Sequence, residues 1–544
     1  MTPALFLPPG SGPDAPYPPR AGCAVEPLVL AAAFYPALEA AILGATHSLN
    51  LAFRILDPDT KTRSPEATAA GLATWGELLA DAAHRGLTVR LLLSDFEPTL
   101  GQRLHADSWR TWKTLHALTR DAHETHMQVL VVQHEGELGG LFRHLARLPV
   151  WFFARRTLAS LAADAFIPGL SPWRRPTSWR HLPRLWPATY HQKFAVVDGH
   201  TAFVGGLDID ERRWDDRRHR RRVGDSWHDL SARVTGPVVA DFHQHFCRLW
   251  EMESERLPQR LKDWMAGEAP DIVFTPCTPA PAPPASGNAR VQLVRTQSRR
   301  NPVAWAVGPI RRITEIEEAH RRLINSAETI LYIEAQFFRL RRVARWIVKR
   351  ARQCPALQVI ILLPNAPEEV AFDGDRRAPH RHGEWLQMRA IRHLRRRIPR
   401  RVGLFSLAQQ QRARPDEIAE YEEGRGVGFG SGMIHVHSKL LIADDHSALI
   451  SSANINGRSF RWDTETGFLW HEPGAVGAFR DALWHDLLQR DSIAPETALD
   501  SWREQAVANA ARKPEERQGF IVPHQITKAR AFARPSWFVP DDLV

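Results

Sequence analysis

Apolar and polar positions along the chain settle into a repeated helix-then-strand pattern. LAAAFYPALEAAILGA (Leu30–Ala45) has helical spacing. HSLNLAFRIL after it alternates as a strand, TWGELLADAAHRG predicts a helix with a glycine stop, and LTVRLLLSDF reads as a buried strand. The pattern restarts further on: ITEIEEAHRRLINSAETILYIEAQFF and WIVKRARQCPALQVIILLPN each predict a helix followed by a strand. AILGATHSLNLAF and LINSAETILYIEA share a helix end, a short polar turn and an apolar strand, which predicts two similar lobes. The expectation is an α/β protein with a largely parallel sheet in each lobe.

Composition divides the rest of the chain. Residues 1–27 read as a flexible Pro-rich arm and 28–267 as the first lobe. DIVFTPCTPAPAPPASGN (Asp271–Asn288) marks a Pro/Ala-rich linker, taken as 268–290. The second lobe follows over 291–491, and 492–544 read as a C-terminal extension. Pro36 and Glu39 interrupt the most apolar stretch, Leu28–Ala45, which predicts a buried helix and no membrane span. The N-terminus lacks the basic region of a signal peptide. Together these predict a cytoplasmic or peripheral membrane protein, with leaderless export left open. Cys23, Cys247, Cys277 and Cys354 show no metal-ligand spacing, so free thiols are expected and neither a disulfide scaffold nor a zinc site.

Charge changes the picture. The net charge is +10, and only eight of the 71 basic residues are lysine. An arginine-rich chain points to an anionic partner, phospholipid or nucleic acid, or to a solvated basic surface. RRWDDRRHRRR (Arg212–Arg222) is a candidate lipid-binding loop or a solvated one. RLRRVARWIVKRAR (Arg339–Arg352) reads as an amphipathic helix packed on the sheet, with an interfacial helix as the lesser reading.

Two segments carry the chemistry: YHQKFAVVDGHTAFVGGLDI and VHSKLLIADDHSALISSANI. Each has His, Lys two residues on, and Asp five residues after the Lys: His191, Lys193 and Asp198, then His437, Lys439 and Asp444. At i and i+2, His and Lys share one face of a strand. About 0.02 matches to this pattern are expected by chance in such a chain, so two are a strong signal. Two histidines can divide nucleophilic attack and leaving-group protonation, and two lysines can hold phosphoryl oxygens without a metal.

This duplicated HxKxxxxD resembles the hallmark of the phospholipase D superfamily. FVGGLDIDERRWDD, SSANINGRSFRWDTE, YIEAQFF (Tyr332–Phe338) and WHDLSARVTGPVVADF (Trp227–Phe242) also resemble segments of its eukaryotic-type members, and the resemblance runs from Pro27 to Asp491. Gly205-Gly206-Leu207-Asp208 and Ser451-Ser452-Ala453-Asn454 depart from the usual GSxN. The resemblance implies two α/β/α sandwich lobes related by a pseudo-twofold axis, with the active site between them and no cofactor or metal.

It further implies His191 as the nucleophile and His437 as the general acid. Asp229 and Glu465 stand where the superfamily keeps the carboxylates that orient these histidines; Asp229 is assigned to His191 and Glu465 to His437. Asp198 and Asp444 are expected to organise turns, and Asn454 and Ser452 to bind phosphate, with Asp208 a weaker candidate. The implied activity is hydrolysis of glycerophospholipid at a membrane surface to phosphatidic acid and a head-group alcohol, with transfer to other alcohols available. The alternatives are a cardiolipin synthase-like transferase, a nuclease of the superfamily, or an inactive binding module. No nucleic-acid partner is expected, and both motifs in one chain suit a monomer.

Overall fold

The computed structural model describes residues 5–97, 101–123, 126–142, 144–145, 185–265, 274–303, 305–491 and 493–544. The first lobe carries strands β1 (Arg20–Val29), β2 (Ser48–Phe53), β3 (Thr88–Ser94), β4 (Met127–Val132), β5 (Phe194–Val197), β6 (Thr201–Gly205), β7 (Trp227–His228) and β8 (Leu230–Thr235). Its helices are α1 (Ala31–Gly44), α2 (Pro65–Ala69), α3 (Trp75–His84), α4 (Gln102–Leu118) and α5 (Val239–Met265). The second lobe carries β9 (Ala289–Arg299), β10 (Ile310–Thr314), β11 (Ile330–Ala335), β12 (Gln358–Leu362), β13 (Val402–Arg412), β14 (Val427–Gly428), β15 (Ser431–Val436), β16 (Lys439–Ala443), β17 (Ser447–Ser451), β18 (Glu465–His471) and β19 (Ile521–Pro523). Its helices are α6 (Glu315–Ser326), α7 (Arg341–Gln353), α8 (Glu368–Ala371), α9 (Ala378–Arg397), α10 (Pro415–Tyr421), α11 (Gly457–Arg461), α12 (Ala475–Leu488), α13 (Pro495–Ala511) and α14 (Ile526–Phe532).

The two sheets repeat one another strand for strand. The first runs β4-β3-β2-β5-β6-β8-β1. The second runs β13-β12-β11-β16-β17-β18-β9. The duplication predicted from the pattern is therefore a duplication of topology. Within these two seven-strand arrays β2-β3-β4 and β11-β12-β13 are parallel, and the motif hairpins and the strands beyond them are antiparallel. The expected largely parallel sheet is thus a mixed one, because a tight turn after each motif reverses the chain where a crossover helix would be needed to keep it parallel.

Local chemistry explains the predicted elements. Thr74 and Glu77 close a capping box at the start of α3. Successive residues of β11 face opposite ways, Tyr332 into the core shared with the first lobe and Leu331 and Ile333 into the core beneath α6, α7 and α9. Helix α7 buries Val343, Ala344, Ile347, Val348 and Ala351, so it is the packed amphipathic helix.

Three expectations are corrected. The arm is not loose: the Leu7 N–H donates to Gln292, whose amide donates to the carbonyls of Leu7 and Tyr17, and the chain is already in β1 at Arg20. Residues beyond 492 are no extension: β19 pairs with β13, and Trp502 of α13 is buried against Tyr332, Phe405 and Trp484. Cys247 and Cys277 are joined in a disulfide with their Cα atoms 4.9 Å apart, leaving Cys23 and Cys354 free. Pairing of residues 30 apart left no local spacing to read. The Pro-rich segment, described from Phe274, returns along α5, where the Ala280 N–H donates to His243 Nδ1 at 3.0 Å. No helix among the described residues is long and apolar enough to cross a membrane.

Candidate active site

In each motif the apolar run forms a strand that Asp ends; Lys439 opens the second strand, whereas Lys193 and both histidines stand just ahead of theirs, so the expected placing of His and Lys together on one strand is corrected. Asp198 and Asp444 have positive φ, 51° and 57°. Each closes a tight turn and accepts backbone N–H groups at the entry to the neighbouring antiparallel strand: Thr46, His47 and Ser48 in one lobe, Glu328, Thr329 and Ile330 in the other. Burial would raise both carboxyls, but the backbone donors hold Asp198 below its ordinary value, and His446 together with the backbone donors holds Asp444 below.

The lobes meet so that both His-Lys pairs converge. His191 Nδ1 lies 3.0 Å from a Glu465 oxygen, and His437 Nδ1 lies 2.6 Å from Asp229 Oδ2. The pairing expected from sequence is therefore exchanged: each histidine is held by the carboxylate of the opposite lobe. The cause is geometric. Asp229 and Glu465 open strands next to their own motif hairpins, at sheet ends that face the other lobe. The backbones cross in the same way, His191 N–H to Thr464 O at 2.9 Å and His437 N–H to His228 O at 2.8 Å. The motif histidines thus also fasten the lobes together.

The carboxylates fix each ring with Nδ1–H donating, which leaves Nε2 with its lone pair. His437 Nε2 accepts from Arg213 Nη1 at 3.1 Å, whereas His191 Nε2 has no hydrogen-bond partner among the described residues. Burial, then Lys193, Arg54 and Lys439, hold His191 well below its ordinary pKa; burial, Lys439, Arg213 and Lys193 do the same to His437. Burial pushes Lys193 down to about 8 and Lys439 down to about 7. Burial also raises Asp229, and burial with the Asp463 charge raises Glu465. The site is a dense cationic pocket suited to an anion.

The remaining candidates fall into place unevenly. Lys193 Nζ lies 3.7 Å from Asp208 Oδ2, and Asp208 Oδ1 accepts from the Arg54 and Ile55 N–H groups. Asn454 donates to Gln336 at 3.2 Å, and its buried Oδ1 has no partner. Ser452 is not placed for phosphate: its hydroxyl donates to Glu465 at 2.5 Å and accepts from Thr466 N–H. It braces the carboxylate that orients His191. Gly206 occupies the equivalent turn position in the first lobe, where an added Cβ would come within 2.2 Å of Asp229 Oδ1.

Other residues in the site were not singled out from sequence. Arg213, inside the supposed lipid-facing run, is 5 % exposed and stacks over Trp227 at 4.9 Å beside His437. Glu334 accepts from Tyr332 at 2.6 Å, from Ser438 inside the second motif at 2.5 Å, and pairs with His228 at 2.9 Å. Burial opposes charge on both, yet Glu334 holds His228 above its ordinary value, and His228, Ser438 and Tyr332 hold Glu334 below. A carboxylate in the middle of an apolar strand, YIEA, was the available signal. Behind the first motif sits a neutral counterpart, Gln192 accepting from Thr466 at 3.1 Å. A cavity of about 500 Å³ opens beside the site, lined by Arg54, Leu93, Phe96, Arg212, Arg213 and Trp227 among others.

A family model described as "Cardiolipin synthase, PLD-like domain" matches residues 321–487. Phospholipase D1 of Saccharomyces cerevisiae is 24 % identical over 367 residues, covering 54 % of this chain and 20 % of its own. Phospholipase D1 of Mus musculus is 27 % identical over 277 residues, covering 47 % of this chain and 25 % of its own. These matches support a phospholipase D superfamily member. Phospholipase D alpha 1 of Carica papaya, 24 % identical over 408 residues, covers 55 % of this chain and 49 % of its own. This chain therefore spans only a fifth to a half of the length of these curated relatives. The crystal structure of phosphatidylserine synthase from Haemophilus influenzae Rd KW20 superposes with a TM-score of 0.50 at 13 % identity, covering 89 % of this chain and 91 % of that one. That likeness shows a shared fold.

Proposed function

We propose that this chain is a phospholipase D that hydrolyses glycerophospholipids to phosphatidic acid and a head-group alcohol. The observation that carries the reading is the convergence of two tautomer-fixed histidines on one cationic pocket. His191 Nε2 has its lone pair unengaged and attacks phosphorus, forming a P–N bond as the P–O bond to the head group breaks. His437, protonated once the anionic phosphate draws Arg213 away and favours a cation, gives its proton to the leaving alkoxide. Water then loses a proton to His437 and attacks phosphorus, and the P–N bond breaks to restore neutral His191. Lys193, Lys439 and Asn454 hold the phosphoryl oxygens as charge builds, and Asp229 and Glu465 keep both rings in register. An alcohol in place of water gives transfer.

The second reading, a cardiolipin synthase-like phosphatidyltransferase, is favoured by the family description and uses the same intermediate. Mixed choline, ethanolamine, glycerol and diphosphatidylglycerol liposomes, analysed by mass spectrometry with and without ethanol, separate the two. Phosphatidic acid, and phosphatidylethanol when ethanol is present, both lost in His437→Ala, is the expected result. Cardiolipin growing from phosphatidylglycerol selects the transferase. Cleavage of DNA or RNA with no lipid turnover overturns both.

A further inference from the structure

We propose that the β9–β10 hairpin is a lipid-surface anchor that seats the cleft on an anionic bilayer. Thr296 of β9 pairs with Glu465, so the strand passes the carboxylate of His191 and runs on to Arg299. Three residues of strand place that exit about 10 Å beyond the catalytic edge of the sheet. The hairpin returns at Ile310, paired with Arg299.

At its tip Val303 is 38 % and Trp305 is 72 % exposed. The Trp305 indole makes no ring contact or hydrogen bond among the described residues. Arg299, Arg300 and Arg311 are exposed around the base of the tip. Arg300 lies 3.8 Å from Glu137, while Arg299 and Arg311 make no ion pair among the described residues.

The tip is braced. Val303 N–H donates to Asn301 Oδ1, Asn301 Nδ2 to Gly308 O, and Ala306 N–H to Val303 O. Across the lobe boundary the Gly139 N–H donates to Ala306 O at 3.0 Å. Gly308 lies flat against the Trp462 ring, which an added Cβ would meet at 2.4 Å, and Ser298 donates to Trp462 O. Trp462 is three residues before Glu465. A braced turn that holds an indole in solvent inside a collar of arginines suits the polar–apolar boundary of a bilayer, where Trp sits at head-group level and arginines meet anionic lipid. The net charge of +10 favours the same partner. The inference rests on the phospholipid reading of the site.

The test uses the full chain in co-sedimentation with phosphatidylglycerol/phosphatidylcholine vesicles at low and high salt. Trp305→Ser should weaken binding by roughly tenfold or more. Arg299→Gln and Arg311→Gln should each weaken it roughly fivefold and flatten its salt dependence. Trp537→Ser/Phe538→Ser, removing two tail aromatics each 95 % exposed, serves as the control and should change binding little. Turnover of a monomeric short-chain phospholipid by Trp305→Ser should match the wild type while its rate on vesicles falls. Absence of wild-type vesicle binding, wild-type binding by Trp305→Ser, or equal loss in the tail control overturns the anchor. So does dimerisation abolished by Trp305→Ser without vesicle binding, which would give the tip to a second copy. Trp305-dependent binding with no phospholipid turned over in either form keeps the anchor and rejects the catalytic reading.

Discussion

At the residue scale the site runs on hydrogen bonds that cross between lobes. Asp229→Asn and Glu465→Gln keep size and shape but replace an acceptor-only carboxylate by a neutral amide that can turn an N–H toward the ring, so the tautomer is no longer fixed and each should lower kcat roughly 10²–10⁴-fold. The two differ in a way that tests the histidine roles. With a nitrophenyl leaving group that needs no acid, Asp229→Asn should form the phosphohistidine and stall, whereas Glu465→Gln should not form it; phosphorus that stays on the quenched protein in base and is released in acid reports this. The lysines set the pH response. Burial pushes Lys439 down to about 7 and Lys193 down to about 8. Their deprotonation removes positive charge facing phosphate, so kcat/KM should fall as pH rises through 7 and more steeply past 8. His191 is held well below its ordinary pKa, so it stays neutral through that window and the acid limb lies lower. A profile flat to pH 9 on a monomeric substrate would contradict this.

At the element scale the second lobe is completed by chain that composition does not mark as core. Helix α13 and β19 cover β12 and β13, and Trp502 is fully buried among Tyr332, Phe405 and Trp484. Trp502→Ala should cost about 3–5 kcal/mol in urea unfolding, with little effect on kcat, since its ring partners Tyr332, Phe405 and Trp484 lie outside both motifs. This segment was illegible because its apolar residues pack against partners far away in sequence. The motif hairpins, α1 and α3 were legible because their periodicity and caps are local. Arg212–Arg222 misled for a related reason: Arg213 turns inward to His437 and Asp208, and a run of like charges conceals the one member that is buried.

At the scale of the whole molecule the chain is two copies of one sheet plan fastened at the site and along α5. The Cys247–Cys277 bond ties α5 to the chain entering the second lobe, closing a loop of 30 residues. Reduction, or Cys247→Ser/Cys277→Ser, should remove about 3–4 kcal/mol of stability, read as a lower thermal midpoint than the oxidised protein. Equal midpoints would show that the bond does not form.

The sequence by itself determined the duplicated motif, the strand–turn–strand around each copy, the resemblance to the phospholipase D superfamily and the two His-Lys pairs with their two carboxylates. Residue types at fixed short spacings decide these. Tertiary structure alone decided which carboxylate serves which histidine, that Ser452 braces Glu465, that Arg213 occupies His437 Nε2 and that Glu334 pairs with His228 behind the second motif. Those partners are brought together by how two sheet ends face each other, and side-chain spacing within one lobe carries no information about the lobe across the cleft.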